Sequence, residues 1–177
     1  MPTGELHVWR VELDSEGWAS AGNLPSPERA RAEAIARPRA RQRWVASRWA
    51  LREVLGSYLG EEPARVELRF GERGKPMLAA AGESLRFNLS HSGELALIAV
   101  CEGREVGVDV QRLGERPLDY YEDWTRREAI AKCHGTGLWA PLPDKPVVVT
   151  GLDAGPGFAA SVAVAGTELP PLRHFGQ

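Results

Sequence analysis

Three strand-like segments follow one another between residues 85 and 111, and this succession constrains the fold most strongly. Residues 85–89 and 95–100 are apolar and flank a short polar turn that contains His91, and residues 104–111 come next. Connections this short favour antiparallel pairing, because a parallel neighbour needs a crossover of about a dozen residues or more. The sequence therefore predicts an antiparallel sheet at its centre.

Two helices are predicted upstream of these strands, over residues 27–36 and 39–59. The segment Ser26-Pro27-Glu28 is typical of a helix start, with Ser26 as N-cap and an acid in the first turn. Pro38 interrupts the helical pattern, and Gly60 follows its last apolar residue, where helices commonly end.

The rest of the chain repeats the mixture of helix and strand. A helix is predicted over residues 123–134, and further strands over 6–13, 66–70, 147–150 and 158–165. The chain thus divides near residue 104 into two halves, 1–104 and 105–177, each with a helix and antiparallel strands. This pattern predicts an α+β fold.

Composition excludes several classes of protein. The net charge is −2, and 43% of the residues are hydrophobic against 26% charged, which is typical of a globular protein rather than a polyanion binder. No apolar run approaches the ~20 residues of a membrane span, and the N-terminus does not resemble a secretory signal. Cys101 and Cys133 form no metal-binding spacing. A cytoplasmic protein without membrane partners is expected.

Positive charge is concentrated in residues 29–52, where eight arginines stand against the single acid Glu33. This span suits either a small anionic ligand or a solvated helix face. Arg48 and Arg52 lie four residues apart and share a helix face, so they are spaced to bind one anion together. No nucleic-acid-binding motif accompanies them, and we expect no nucleic-acid partner.

Alternation places Asp109 and Gln111 on one face of their strand, opposite three valines. Two oxygen-bearing side chains at this spacing can point at one hard cation such as Mg²⁺. The strand pattern taken alone favours a simpler interpretation, in which Asp109 faces solvent.

Three further polar residues leave their role open. Glu128 and Lys132 lie four apart on the predicted helix, where they form either a surface pair worth ~0.3–0.5 kcal/mol or a metal ligand beside a phosphate-binding cation. His91 is either a solvated turn residue or a contact for an anion.

Taken together, these residues resemble the Sfp-type 4'-phosphopantetheinyl transferases. The matches follow the family order from about residue 40 to 165: residues 48–52, Gly74-Lys75-Pro76, Phe87-Asn88-Leu89-Ser90-His91-Ser92, Gly107-Val108-Asp109-Val110, residues 124–132 leading into Gly135-Thr136-Gly137-Leu138, and the segment 158–165.

The resemblance implies two pseudo-symmetric lobes with coenzyme A between them, and an enzyme that transfers 4'-phosphopantetheine to a serine of an apo carrier protein. Asp109 and Glu128 would hold Mg²⁺ on the pyrophosphate, Gln111 could add an oxygen, and Lys132 and His91 would neutralise charge. Glu128, directly or through water, would take the serine proton. The implied coenzyme A contacts are Arg43, Arg48, Arg52, Lys75, Pro76, Ser90, His91 and Lys132.

Three departures from the family pattern raise an alternative. Gln111 stands where many members carry a second acid, and Arg127 replaces a lysine. Only residues 112–123 separate the Asp109 strand from Trp124, where typical members have a longer insertion that shapes carrier docking. The alternative is a member that binds coenzyme A with lost or altered transfer. A monomer is expected, because both lobes lie in one chain.

Overall fold

The computed structural model describes residues 4–15, 23–71, 74–79, 84–137, 140–141 and 143–176. Leu138, at the end of one matched motif, lies outside these residues. Three α-helices, one short 3-10 helix at Pro63–Arg65 and nine strands are present in the described ranges. The helices are α1 (Ser26–Glu33), α2 (Pro38–Leu59) and α3 (Leu118–His134). The strands are β1 (Leu6–Glu12), β2 (Leu68–Phe70), β3 (Pro76–Leu78), β4 (Leu85–Ser92), β5 (Leu95–Glu102), β6 (Val106–Arg112), β7 (Val147–Leu152), β8 (Phe158–Ala165) and β9 (Leu172–Gly176). The predicted α+β class is confirmed.

The strands form two main sheets and one small one. The first sheet has the order β4-β5-β1-β9, the second β6-β8-β7, and β2 pairs with β3. All pairings are antiparallel except that of β9, which runs parallel to β1 with Leu6 opposite Leu172. Strand β9 therefore comes from the C-terminal half of the chain but joins the sheet of the N-terminal half. The division of the chain into two lobes near residue 104 stays a prediction.

The core has layers that follow from the two faces of each sheet. Helix α2 packs Leu51 and Leu55 against one face of the first sheet, where Ile98 lies. The other face of that sheet packs against the second sheet, with Leu97 beside Val108. Helix α3 covers the remaining face of the second sheet, and its side chains contact β7 and β8. None of the helices in the described ranges is both long and apolar enough to cross a membrane.

Several element boundaries differ from the sequence prediction. Ser26 is the first residue of α1 rather than its N-cap, and its side chain makes no capping hydrogen bond. Helix α3 begins at Leu118, directly after Pro117, rather than at residue 123. Strand β4 continues through His91, so the predicted histidine turn is wrong: the turn consists of Gly93, at φ +59°, and Glu94. The ends of α2 at Pro38 and Gly60 are confirmed.

Candidate active site

A close approach between α3 and β6 builds the centre of the candidate site. Gly107 has no side chain, and a Cβ built there would lie 2.1 Å from the Ala129 carbonyl oxygen and 2.4 Å from the Cys133 nitrogen. Only glycine lets the helix come this near the strand. As a result, Glu128 and Lys132 on α3 lie beside Asp109, two residues along β6.

Asp109 and Lys132 form an ion pair at the base of the site. Lys132 Nζ lies 2.6 Å from Asp109 Oδ1 and also donates to Ser90 Oγ at 3.1 Å. Ser90 Oγ in turn donates to Asp109 Oδ1 at 2.9 Å. Asp109 is only 2% exposed, so a desolvated carboxylate is held by a cation and a hydroxyl from two other elements. The solvent-facing interpretation of Asp109 is therefore wrong.

Glu128 is half-buried above this pair. Among the ion pairs of the described residues, Lys132 makes one with Asp109 and none with Glu128, so the surface pair at spacing i, i+4 does not form. Partial burial raises the pKa of Glu128; the nearby Lys132 opposes this and Asp109 adds to it. Glu128 is thus a carboxylate that accepts a proton more readily than an exposed glutamate.

Gln111 contacts the second oxygen of Asp109. Its Nε2 donates to Asp109 Oδ2 at 3.3 Å. Within the described part of the chain, no three His, Cys, Asp or Glu side chains are grouped to hold a metal. Mg²⁺ commonly binds through one or two carboxylates and completes its shell with water and substrate phosphates. Asp109 and Glu128, with the Gln111 amide beside them, fit a site of that kind.

A cleft of about 280 Å³ opens next to these residues. Its lining includes Lys132 together with Lys75, Pro76 and His91. Lys75 Nζ donates to the Lys132 carbonyl at 2.8 Å, which ties the Gly74-Lys75-Pro76 turn to the end of α3. Burial lowers the pKa of Lys75, and Glu105 opposes the shift. Lys75 and Lys132 therefore make the lining of this cleft cationic.

His91 sits in the wall of the cleft with its side chain still accessible. Protein surrounds the ring closely enough that desolvation lowers its pKa, and the charges of Lys132 and Arg48 lower it further. An anion in the cleft would reverse this balance by favouring the protonated ring.

Arg48 brings a partly unsatisfied guanidinium to the same cleft. Its Nε donates to Glu28 at 2.6 Å, and its guanidinium carbon lies 5.7 Å from the Trp44 ring centre and 5.4 Å from that of Phe70. Its buried Nη2 has no hydrogen-bond partner in the part of the chain that is described. Buried donors are normally paired, so an acceptor from a ligand fits here.

A larger pocket of about 730 Å³ lies elsewhere, at the C-terminal end of α2. Its lining includes Glu53, Glu61, Glu62 and Glu67. The candidate site is the smaller cleft, because Lys75, His91 and Lys132 line it, whereas acids predominate in the lining of the larger pocket.

Comparison with known proteins decides the family. The model of the family described as 4'-phosphopantetheinyl transferase, N-terminal, matches residues 9–103, more than half of the chain. The chain is 43% identical to the 4'-phosphopantetheinyl transferase HetI of a Nostoc species, over 80% of this chain and 60% of that protein. It is 30% identical to the 4'-phosphopantetheinyl transferase AcpT of Salmonella typhimurium, over 75% of this chain and 77% of that protein. The chain belongs to the 4'-phosphopantetheinyl transferase family.

The extent of the match differs among these transferases. A putative 4'-phosphopantetheinyl transferase of a Synechocystis species is 32% identical over 65% of this chain and 58% of its own length. The chain thus matches about three fifths of the Nostoc and Synechocystis proteins and about three quarters of AcpT.

Two arginines predicted to contact coenzyme A lie elsewhere in this transferase-family chain. Arg52 is 3% exposed, and it donates to Glu28 and to the carbonyls of Pro63 and Val66, so it is unavailable to a ligand. Arg43 pairs with Asp14, donating from Nε at 2.7 Å, and it does not line the cleft.

Arg48 and Arg52 do bind one anion together, as their spacing predicts, but the anion is Glu28. This carboxylate of α1 is 2% exposed and receives both guanidinium groups. The contact fixes α1 on α2 and holds Arg48 at the cleft.

Replacing Glu28 with alanine is expected to lower the free energy of unfolding by about 3–5 kcal/mol, because two buried arginines lose their counter-ion. Chemical denaturation measures the loss. The control is Glu33→Ala, at an exposed position of the same helix, which should change stability little. A Glu28→Ala protein as stable as wild type would contradict the role assigned to this carboxylate.

Sequence reasoning missed three residues at this site. Glu28 carried no signal beyond its place in the first turn of a helix, and its partners lie 20 and 24 residues away. Trp44 lines the cleft but was explicable as a helix-face residue. Asn88 also lines the cleft; the spacing Asn88-x-Ser90-x-Ser92 could have identified it.

Proposed function

We propose that this chain transfers the 4'-phosphopantetheine group of coenzyme A to a serine of an apo acyl or peptidyl carrier protein, with Mg²⁺ as cofactor, and releases adenosine 3',5'-bisphosphate. The observation that carries the proposal is the convergence of Asp109, Glu128 and Lys132 at one end of a cationic cleft. Family membership supports the same reaction class.

The cleft is suited to a ligand with several phosphates. Arg48, Lys75 and Lys132 supply positive charge along it, and His91 in its lining can donate or accept a hydrogen bond. Ser90 lies behind Lys132 and accepts a hydrogen bond from its Nζ. We assign the nucleotide part of coenzyme A to the side of Arg48, Lys75 and Pro76, and the pyrophosphate to the side of His91, Ser90 and Lys132.

Phosphoryl transfer depends mainly on positioning and on neutralising charge. The serine oxygen of the carrier attacks the phosphorus that bears pantetheine. A bond forms between them, and the bond from this phosphorus to the bridging oxygen breaks, so adenosine 3',5'-bisphosphate leaves with the electron pair. Glu128 takes the serine proton, and Lys132 and His91 stabilise the phosphate oxygens.

Asp109 and Glu128, with Gln111 beside them, would hold Mg²⁺. When bound, the metal supplies a positive charge to the pyrophosphate. Lys132 then has two roles open to it: it neutralises Asp109 in the free chain, and it contacts phosphate oxygens in the complex.

The proposal is tested by intact-mass spectrometry of apo carrier proteins incubated with this chain, coenzyme A and Mg²⁺. The expected result is a mass increase of one phosphopantetheine group on at least one carrier, lost when a chelator is added. Matched incubations with the Glu128→Gln protein control for modification by contaminants. Absence of the increase on every carrier of a broad acyl and peptidyl panel would contradict the proposed activity.

A second candidate is a family member that binds coenzyme A without transferring phosphopantetheine. The observation that favours it is the amide of Gln111 against Asp109, where a second acid would strengthen a metal site. The connection between β6 and α3 is also short, comprising residues 113–117. Calorimetry showing coenzyme A binding, combined with no mass increase on any carrier, would favour this candidate.

The pH dependence of transfer tests the role of Glu128. Because its pKa is raised by burial, the ionised base is lost as pH falls through that raised value, and the rate should fall with it. Single-turnover rates between about pH 5 and 8 measure this acid limb. Glu128→Gln should be slow at every pH.

The matched control for this experiment is Glu122→Gln, at an exposed position of the same helix, which should keep the wild-type profile. A Glu128→Gln protein with the wild-type rate and acid limb would show that another group accepts the proton.

The same proposal extends to the architecture and setting of the enzyme. We propose that the two main sheets, each with one long helix, are pseudo-symmetric lobes divided near residue 104, with β9 as the strand that returns to the first sheet. We further propose a monomer that acts in the cytoplasm, where Cys101 and Cys133, both free and buried, stay reduced.

A further inference from the structure

Where the edges of the two main sheets meet, side chains of β4 accept hydrogen bonds from the backbone of β6. Strands β4 and β6 run side by side in different sheets. In the described residues, the Ser90 hydroxyl donates to the Asp109 side chain across this boundary, and three further hydrogen bonds are each donated by a backbone N–H of β6 to a side-chain oxygen of β4: Val108 to Asn88 (2.9 Å), Val110 to Ser90 (3.4 Å) and Arg112 to Ser92 (3.0 Å).

The regular spacing explains how three short side chains reach a neighbouring strand. Alternate residues of β4 project in one direction, and alternate N–H groups of β6 face them. The partners advance together along both strands with a constant separation of 20 residues. These contacts satisfy N–H groups of an edge strand that would otherwise lack acceptors.

The three hydrogen bonds from β6 to β4 form a side-chain ladder, and the position of Asp109 gives this ladder a functional consequence. Asp109 lies between Val108 and Val110, the two residues whose amides β4 holds through Asn88 and Ser90. Asn88 is 4% exposed and lines the cleft. The β4 side chains therefore set where the Asp109 carboxylate stands relative to the cleft.

We propose that Asn88 is a positioning residue that fixes β6, and with it the Asp109 carboxylate, against the wall of the cleft. Ser92 belongs to the same ladder, but it accepts from the Arg112 amide, three residues beyond Asp109. Its main role is to join the edges of the two sheets. This inference rests on the proposed function, because it assigns Asn88 a part in aligning the metal and pyrophosphate site.

Four variants separate positioning from edge closure. Asn88→Ala removes the acceptor of the Val108 amide, which is next to Asp109 along β6, and Ser92→Ala removes the acceptor of the Arg112 amide, three residues beyond Asp109. Asn88→Ser keeps an acceptor, and Ser90 and Ser92 show that a β4 hydroxyl can reach a β6 N–H. Ser57→Ala is the control, because among the described residues the Ser57 hydroxyl donates within α2, to the Val54 carbonyl.

The first readout is amide hydrogen exchange in the free protein, which requires no activity. We expect roughly tenfold faster exchange at Val108 in Asn88→Ala and at Arg112 in Ser92→Ala, the scale of one lost hydrogen bond. Asn88→Ser should restore part of the protection at Val108, and Ser57→Ala should change neither amide.

The second readout is the gain in coenzyme A affinity on adding Mg²⁺. We expect Asn88→Ala to reduce this gain about tenfold, the scale seen when groups that orient metal ligands are removed. The affinity of each variant without Mg²⁺ is its own reference, and Ser92→Ala should retain most of the gain. If Asn88→Ala does not fold, Asn88→Ser is compared with Ser92→Ala instead. We then expect a smaller reduction of the Mg²⁺-dependent gain in Asn88→Ser and none in Ser92→Ala.

Two results would overturn the inference, and they are distinguishable from each other. If Asn88→Ala exchanged faster at Val108 but kept the full Mg²⁺-dependent gain in coenzyme A affinity, Asn88 would only join the edges of the two sheets. A wild-type chain with no Mg²⁺-dependent gain at all would overturn the proposed function and the positioning role together, while exchange would still report the hydrogen bonds.

Discussion

The Asp109→Asn protein is expected to transfer phosphopantetheine at least about a hundredfold more slowly than wild type while it remains folded. The substitution keeps the shape of the side chain, but it removes the charge that binds Lys132 at 2.6 Å and that would hold the metal. Loss of several kcal/mol of charge stabilisation corresponds to a rate change of two orders of magnitude or more. Single-turnover mass spectrometry measures the rate.

The control for this prediction is Asp123→Asn on α3. Asp123 is exposed and pairs only with Arg127 on the surface among the described residues, a contact worth little. Its rate should equal that of wild type. A wild-type rate for Asp109→Asn, measured beside this control, would exclude Asp109 from the reaction.

Gly107→Ala is expected to remove most transfer and to lower the free energy of unfolding by about 1–3 kcal/mol. The added Cβ would clash with backbone atoms of α3, which cannot rotate away as a side chain can. Helix α3 must shift from β6, and Glu128 and Lys132 shift with it, away from Asp109. Denaturation and single-turnover assays give the two effects separately.

Gly151→Ala provides the matched control. Gly151 lies in β7 of the same sheet, and among the described residues a Cβ there would meet the Ala160 carbonyl oxygen alone, at an ordinary contact distance of 3.9 Å. Transfer should persist in this protein. If Gly107→Ala kept both its stability and its rate, the close approach of α3 to β6 would not be what aligns the site.

The sequence predicted elements whose determinants are local. Pro38 and Gly60 mark the ends of α2, and the alternation around Asp109 identifies β6 together with its buried valine face. These signals succeed because proline geometry, glycine at positive φ and side-chain alternation act within a few residues. Strand β9 was missed because its partner β1 lies at the other end of the chain.

The candidate site shows the same limit. The sequence identified Asp109, Glu128, Lys132 and His91, but it left open whether Lys132 pairs with Glu128 or serves the site. The structure pairs Lys132 with Asp109, a choice made by the approach of α3 to β6 rather than by spacing along the helix.

The sequence also could not predict which acids pair with the arginines. Arg52 pairs with Glu28 and Arg43 with Asp14, and both acids lie outside the arginine-rich span. Composition can show that a span is basic, but it cannot show which charges tertiary packing neutralises. Arg48 differs because one of its buried nitrogens stays without an acceptor in the described chain.

The central claim is that Asp109 and Glu128 form a metal-dependent pyrophosphate site at the end of the cleft. Calorimetric titration of coenzyme A, with and without Mg²⁺, tests it most directly on wild type and Asp109→Asn. We expect Mg²⁺ to strengthen binding to wild type by about tenfold or more and to leave Asp109→Asn nearly unchanged. Equal strengthening of both proteins by Mg²⁺ would contradict the claim.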